Sequence, residues 1–243
     1  MKSYVTPLII ALSIITGVFV LGNAYKYKFK TQETISVTGL AETNFVSDQI
    51  VWTGNYSRKT MDLRSAYSQL KEDESKIRAY LKGKGVSEAE MVFSAISIDK
   101  EFASRYDDNG RMTGSEFTGY NLKQNVTVDS KDIEKVEKIS REVTELIESG
   151  IEFNSSSPSY YYTKLSELKI DLLAKASADA KQRAETIAKN SGSGLGAIKK
   201  ANMGVFQITG QNSDEDYSYG GAFNTSSKNK TASITIKIEY AVD

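Results

Sequence analysis

The fold is decided by one segment near the C-terminus, Thr163 to Gly196, which reads TKLSELKIDLLAKASADAKQRAETIAKNSGSGLG. Apolar and small residues recur in it at steps of three and four, which is the period of a helix with one buried face. These residues are Leu165, Leu168, Leu172, Ala176, Ala180, Ala184, Ile187 and Ser191. Because this stripe changes from Leu to Ala along its length, we expect the second half of the helix to approach a sheet closely.

The sequence also predicts where this helix begins and ends and which of its faces is exposed to solvent. Thr163 is the predicted N-cap, and the glycines within 192–196 can adopt the left-handed conformation at which helices stop. Asp179 precedes Arg183 by four residues, the favourable order for an ion pair on a helix surface. This second face is therefore predicted to be exposed to solvent.

The region before this helix, residues 48–157, predicts a β-α-β-β-α-β unit, which is the order of a ferredoxin-like fold. Two helices are predicted from their periodicity, at Leu63–Leu81 and at Ile133–Leu146, the second capped by Asp129 or Ser130. The strands are predicted at Ile50–Tyr56, Ile96–Phe102, Tyr120–Val128 and Ile151–Ser157.

The remaining residues, 33–47 with 158–243, predict a second and discontinuous unit. Its strands lie around Ile35, at Ala201–Ile208 and at Ile234–Tyr240, where apolar and polar residues alternate. We expect the first and last strands to pair, since they otherwise lack partners. The loop between Gly210 and Lys230 is rich in small polar residues and is predicted to be mobile. The fold class is therefore α+β, preceded by an N-terminal membrane helix.

Residues 1–24 are predicted to form a membrane anchor or signal segment, followed by a linker over 25–32. Tyr4–Gly22 is an uncharged run of nineteen residues, close to the about 20 that a helix needs to cross a bilayer. Gly22 and Ala24 have the spacing that signal peptidase accepts, but the run is long for a cleaved signal, so an uncleaved anchor is favoured.

The orientation of this segment is left open by the residues themselves. Lys26, Lys28 and Lys30 follow the apolar run. The positive-inside rule places such residues in the cytoplasm, which conflicts with export of the domain that follows.

The composition argues against several classes of function. Thirty-one basic and 31 acidic side chains balance, so no general attraction to nucleic acid is expected. The chain has no Cys and no His, which removes thiol nucleophiles and the commonest general base and metal ligand. We therefore predict that the protein is not an enzyme, and we assign no catalytic, cofactor-binding or metal-binding residue.

Four segments have alternative interpretations. Asp107–Gly110 could hold calcium but is more typical of a hairpin turn, because its spacing misses the calcium-loop pattern. Asp214–Asp216 is interpreted as a solvated loop. Tyr160–Tyr162 could form a carbohydrate or partner surface, although rings packed on two faces are favoured. Gly192–Gly196 follows a helix, which is the wrong polarity for a phosphate loop.

A Ser-Lys nucleophile is compatible with composition, but no motif supports it.

Three stretches resemble the SIMPL-domain family, once called DUF541. The segment ASADAKQRAETIAKNSGSGLG at 176–196 is similar to the signature near the C-terminus of that family. ISVTGLAE at 35–42, followed by Asp48, is similar to its opening strand pair, although Ser47 stands where Pro is usual. Residues 120–150 are similar to its central strand and helix. The resemblance covers 33–240.

The resemblance implies a function that composition cannot show. Bacterial members of the family are associated with protection against oxidative stress and with ring-like or channel-like oligomers, and the mammalian member is a signalling adaptor bound to a kinase. For this chain it implies a homo-oligomeric protein on the periplasmic side of the cell envelope, anchored to the inner membrane by residues 4–22. The alternative is a module that binds a small molecule or peptide in the periplasm.

Deleting Met1–Ala24 is expected to release the protein from membranes, because this removes the only long apolar run in the sequence. The full-length chain should remain with membranes after a high-salt wash, as judged by immunoblotting of the fractions. A soluble product of the full-length gene that begins near Tyr25 would show instead that the segment is a cleaved signal.

Overall fold

The computed structural model describes residues 5–30 and 33–243. They form an N-terminal helix followed by two antiparallel sheets with helices packed on them. The α-helices are α1 (Val5–Lys30), α2 (Leu63–Gly83), α3 (Ile133–Glu142) and α4 (Leu165–Asn190), and 3₁₀ turns cover Glu88–Glu90 and Val143–Ser149. The strands are β1 (Thr34–Val46), β2 (Gln49–Thr60), β3 (Met91–Phe93), β4 (Ser97–Tyr106), β5 (Met112–Ser130), β6 (Phe153–Ser155), β7 (Ser159–Tyr161), β8 (Leu195–Met203), β9 (Gln207–Gly210) and β10 (Asn229–Val242). The predicted α+β class is confirmed.

Helix α1 is long and apolar enough to cross a membrane. Its apolar part, Pro7–Tyr27, has a mean hydropathy of 2.1, and none of it is buried against the domain. The helix continues to Lys30, into the predicted linker at 25–32, because neither Gly nor Pro follows Gly22 to stop it. Part of the predicted anchor and of the linker, residues 1–4 and 31–32, lies outside the described residues.

The first sheet joins the two ends of the domain. Its strand order is β1-β10-β8, with β9 also paired to β10. Strands β1 and β10 are antiparallel in one unbroken register from Thr34 opposite Ala241 to Val46 opposite Asn229. The predicted pairing of the first and last strands is confirmed.

The second sheet is built from the middle of the chain. Its order is β3-β5-β2-β6, with β4 paired to β5 and β7 paired to β2. Helices α2 and α3 cover it through a core that includes Trp52, Leu70, Leu122 and Val136, all fully buried. The elements follow the predicted β-α-β-β-α-β order when β3 and β4, which both pair with β5, are taken as one strand. The ferredoxin-like assignment itself stays a prediction.

Helix α4 packs against β1 and β10 at close range. A Cβ atom at Gly39 would overlap Ala176 O and lie 2.6 Å from Ala180 N, so only glycine allows this approach. The buried stripe of α4 is Leu172, Ala176, Ala180, Ala184 and Ala188. The expected close approach of the Ala-rich half is therefore observed.

Several predicted details of this unit are wrong. The buried stripe ends at Ala188, which is 2% exposed, whereas Ile187 is 45% exposed and Ser191 is also exposed, because the small residues advance by strict steps of four. Thr163 is not the N-cap. Lys164 takes that position without a side-chain cap, because the Thr163 hydroxyl is used by Asp48.

The boundaries of other elements also differ from the predictions. Helix α3 is capped by Asp132, whose carboxylate accepts from Lys135 N, rather than by Asp129 or Ser130, which end β5. The strand predicted at 201–208 is two strands, β8 and β9, and β8 begins at Leu195, directly after the helix stop. That stop is confirmed at Gly192, which has φ of +72°, with Ser193 N donating to Ala188 O at 2.9 Å.

Replacing Ala180 by Leu is expected to lower the melting temperature clearly. The larger side chain has no empty volume to occupy between α4 and Gly39, and overpacking of this kind costs about 1 to 3 kcal/mol. The matched control is Lys181→Ala, at the exposed neighbouring position, which should change the free energy of unfolding by less than about 0.5 kcal/mol. Equal tolerance of both changes in thermal denaturation would contradict this packing.

Candidate functional site

The sequence segments considered as sites have structural roles. Asp107 closes the turn between β4 and β5, where its Oδ1 accepts from Asn109 N at 3.0 Å and Arg111 N at 2.8 Å. Within 5–30 and 33–243, no three acidic side chains are arranged to hold a metal ion. The interpretation of Asp107–Gly110 as a hairpin turn is confirmed by the β4–β5 pairing.

The three tyrosines at 160–162 join the two halves of the domain. The Tyr160 hydroxyl donates to Glu137 Oε1 at 2.9 Å, and burial together with this bond raises the pKa of Tyr160 to about 12. The Tyr162 ring packs on Phe45 with centroids 4.8 Å apart. These rings are half-buried between elements, as the packing interpretation predicted.

The acidic loop at 214–216 is more than a solvated segment. Glu215 accepts from Gly210 N at 3.0 Å and from the amide of Asn224, and the Gly210 bond is the main cause of its lowered pKa. Asn224 in turn accepts from Lys230, whose Nζ lies 2.6 Å from the Asn224 carbonyl oxygen. The loop between Gly210 and Lys230 is therefore held by a network that sequence analysis missed.

Lys230 is a buried lysine, the kind of residue that could activate a serine as a Ser-Lys nucleophile. It is only 2% exposed, and burial lowers its pKa. Its Nζ donates to two oxygens of Asn224, so the ammonium group anchors the loop rather than facing a serine hydroxyl. The geometry at Lys230 gives no support to such a nucleophile.

A charge pair between partly exposed Arg58 and buried Asp73 stabilises the other sheet. Arg58 binds Asp73 through two parallel bonds, Nε to Oδ2 at 2.5 Å and Nη2 to Oδ1 at 2.8 Å. Arg58 Nη2 also donates to Gly150 O at 2.8 Å, which ties α2 to the end of the 3₁₀ turn after α3. Arg58 Nε and Nη2 both donate to groups of the protein itself, so we interpret the pair as structural.

The junction between the sheets is held by Asp48. Its two carboxylate oxygens accept from Thr163 N and from Thr163 Oγ1, each at 2.7 Å. Next to it, Ser47 N donates to Lys228 O at 3.0 Å, a bond that Pro at this position could not make. The Ser47 hydroxyl is buried, and no partner for it lies among the residues that the structure describes. The backbone N–H of Ser47 thus helps to hold this junction.

A surface groove lies where α4 runs beside the outer edge of β1. It has a volume of about 740 Å³ and is lined by Ser36, Val37 and Thr38 from the strand and by Asp179, Gln182, Arg183, Thr186 and Ile187 from the helix. We call it the edge groove. It combines an unpaired strand edge with polar helix side chains, and an open sheet edge is one of the places where proteins bind extended chains.

Asp179 closes one end of this groove. Its Oδ2 accepts from Leu40 N at 2.9 Å and from Arg183 Nε at 2.8 Å. The Leu40 bond, with Arg183 as a further cause, lowers the pKa of Asp179. The Asp179–Arg183 pair predicted from sequence is thus present and open to solvent, with Arg183 56% and Asp179 30% exposed; Asp179 in addition binds the strand edge. Only the tertiary contact reveals this role.

A second exposed surface is the distal part of the β4–β5 hairpin. Strand β2 ends at Thr60, opposite Tyr120, so residues 112–118 of β5 pair only with β4. We call residues 102–106 and 112–118 the arm. Three of its large apolar side chains, Phe102, Tyr106 and Met112, are 59%, 64% and 62% exposed. A two-stranded ribbon is at best marginally stable alone in water, so this arm is suited to packing against another surface.

These features define a mixed α+β protein with two antiparallel sheets, an N-terminal apolar helix and surfaces suited to association. The family model described as "SIMPL: Protein of unknown function (DUF541)" matches residues 35–242. The chain belongs to the SIMPL family. No curated protein matches it with significant similarity.

Replacing Asp179 by Asn is expected to destabilise the protein at neutral pH. The pKa of Asp179 is lowered in the folded state, so its stabilisation is present above the unfolded pKa of about 3.9 and is lost as pH falls through the folded pKa. The melting temperatures of the variant and the wild type should therefore differ at pH 7 and converge in strong acid.

The matched control for this change is Asp171→Asn. Asp171 forms an exposed pair with Lys175 at 2.7 Å on the same helix, and such pairs contribute little. An equal loss for the two variants, or a loss for Asp179→Asn that does not depend on pH, would contradict the role of the Asp179 carboxylate at the strand edge.

Proposed function

We propose that this SIMPL protein is a non-catalytic, membrane-anchored protein of the cell envelope that self-assembles on the periplasmic side. The observation that carries self-assembly is the arm, because it exposes large apolar side chains on a ribbon that no other element of the described structure covers. Exposed apolar surface of this kind is typical of interaction sites.

The proposed absence of catalysis is supported by which polar residues the chain contains and by how the buried ones are bonded. The chain has no His and no Cys. The buried ionisable groups Asp73 and Lys230 are each bound to protein partners. Self-assembly requires neither His nor Cys, whereas most hydrolytic mechanisms need a general base, for which His is the commonest residue.

Anchoring is supported by α1. Its apolar part is 21 residues long, close to the about 20 residues that span a bilayer as a helix, and only three residues separate α1 from β1. The domain therefore lies close to the membrane surface if α1 remains uncleaved. A role in oxidative-stress tolerance or envelope integrity is proposed from the family resemblance.

A second candidate function is the binding of a small molecule or peptide. The edge groove favours it, since Ser36, Thr38, Gln182 and Arg183 converge on one depression. Strand addition at an open edge is a common mode of peptide recognition. A monomeric domain that binds an extended peptide would support this candidate over self-assembly.

The double substitution of Phe102 and Tyr106 by Ser is expected to reduce the mass of the assembly formed by the full-length chain in detergent. It removes apolar contact area from the arm without touching either core, so the melting temperature of the remaining protein should change little. Mass photometry measures the first quantity and thermal denaturation the second.

The control for this experiment is the double substitution of Ile147 and Ile170 by Ser. These side chains are 63% and 72% exposed, like those of the arm, but lie elsewhere on the domain. The control should keep the wild-type mass. A monomeric wild-type protein, or an unchanged mass for the arm variant, would contradict assembly through the arm.

A further inference from the structure

The two edges of the first sheet are protected very differently. Strand β8 carries Lys199 and Lys200, and its register with β10 shifts on both sides of Tyr240. Charged residues and irregular pairing are the usual devices that keep an edge strand from pairing with another chain. The first part of β1, Thr34–Thr38, has neither device: its register is unbroken, and the only charged residue of the strand, Glu42, lies beyond it.

The open part of the β1 edge can be located from the backbone. Leu40 N points away from β10, since it donates to Asp179. Residues two apart in a strand direct their backbone groups to the same side, so Ser36 and Thr38 also face outward. Within the described residues no hydrogen-bond partner faces them, whereas Asp179 occupies the edge at Leu40. The free edge is therefore Thr34–Thr38.

This free edge is complementary to itself, and we propose that two copies of the chain pair through it. In the pairing, two β1 strands run antiparallel about a two-fold axis at Ser36. Thr34 then faces Thr38 of the second copy, and Ile35 faces Val37. Threonine pairs and β-branched pairs are favourable across antiparallel strands. The outward-facing residues 34, 36 and 38 become the hydrogen-bonded pairs, as the ladder requires.

The extent of this pairing agrees with the position of Asp179. In the register centred on Ser36, Leu40 lies beyond Thr34, the first β1 residue of the second copy. The ladder therefore ends where the Asp179 carboxylate already satisfies the Leu40 N–H. No hydrogen bond within the subunit has to break for the two strands to meet.

The helices complete the same interface. Thr186 and Ile187 line the edge groove beside Ser36, and Ile187 is 45% exposed although it belongs to the apolar periodicity of α4. A two-fold axis at Ser36 brings α4 of the second copy alongside this groove, so that the same residues of both subunits meet. The pairing thus covers the apolar side chain that the subunit leaves exposed.

The inference rests on the proposed self-assembly and names one of its interfaces. It is tested by cysteine cross-linking of the full-length chain in membranes. Because the chain has no Cys, any disulfide must involve the introduced cysteine. Ser36→Cys lies on the axis, where the Cα atoms of a hydrogen-bonded pair are about 5.5 Å apart. This distance is within the range of about 4.4 to 6.8 Å that a disulfide spans. Ser36→Cys should therefore form a covalent dimer on mild oxidation.

Two further variants test the register. Thr38→Cys alone should not cross-link, because two copies of this residue are separated by four residue steps, about 13 Å. A mixture of Thr34→Cys and Thr38→Cys chains should give the mixed dimer. Glu42→Cys is the matched control, since it lies on the same face and edge of β1 beyond Asp179, and it should remain uncross-linked.

A proline substitution tests the hydrogen bonds themselves. Ser36→Pro removes an N–H that faces outward and leaves the bonds between β1 and β10 intact, as edge strands tolerate. It should lower the mass of the assembly by mass photometry while the melting temperature stays near that of Glu42→Pro. Glu42→Pro makes the same change outside the proposed interface and should keep the wild-type mass.

The outcomes separate this inference from the proposed function. If the wild type is oligomeric but neither Ser36→Cys nor the Thr34 and Thr38 mixture cross-links, the β1 interface is overturned and self-assembly stands. Equal cross-linking of Ser36→Cys and Glu42→Cys would indicate random collision and would also overturn it. A monomeric wild type in membranes contradicts both proposals.

Discussion

The close approach of α4 to β1 at Gly39 is the constraint on which the rest of the first unit depends. With no side chain at that residue, the backbone of the strand reaches the Ala176 and Ala180 face of the helix. The helix is thereby brought over the first and last strands, which join the two ends of the domain. The same approach places Asp179 Oδ2 2.9 Å from Leu40 N. The close contact at Gly39 therefore explains both the packing of α4 and the occupied β1 edge at Leu40.

The second constraint is the junction at Asp48. The chain leaves the first sheet there and returns to it at Thr163, and the carboxylate of Asp48 binds both the backbone and the hydroxyl of Thr163. Phe45 and Tyr162 pack beside this bond. The chain passes between the two sheets twice, near Asp48 and near Thr163, and this polar contact links the two places. The cores of the two sheets are otherwise formed by different parts of the chain.

Polar side chains in this protein are used mainly to hold segments in place. Arg58 and Asp73 tie α2 to the region after α3, and Lys230 fastens the loop through Asn224. The surfaces left for function are an apolar arm and a strand edge. Such surfaces associate with other chains through burial and backbone hydrogen bonds, which is the physical basis of the function proposed for this SIMPL protein.

The sequence by itself determined the α+β class, the pairing of the end strands, the long Ala-rich helix and the family, because strict periodicity and local signatures do not depend on distant contacts. The tertiary structure alone decided the cap of α4 and the strand-edge role of Asp179. Each depends on residues more than a hundred positions away, such as Asp48 and Leu40. The networks of Lys230 and Arg58 were likewise invisible, since a charged residue in a one-dimensional pattern is expected at the surface and only folding shows which charges are buried with partners.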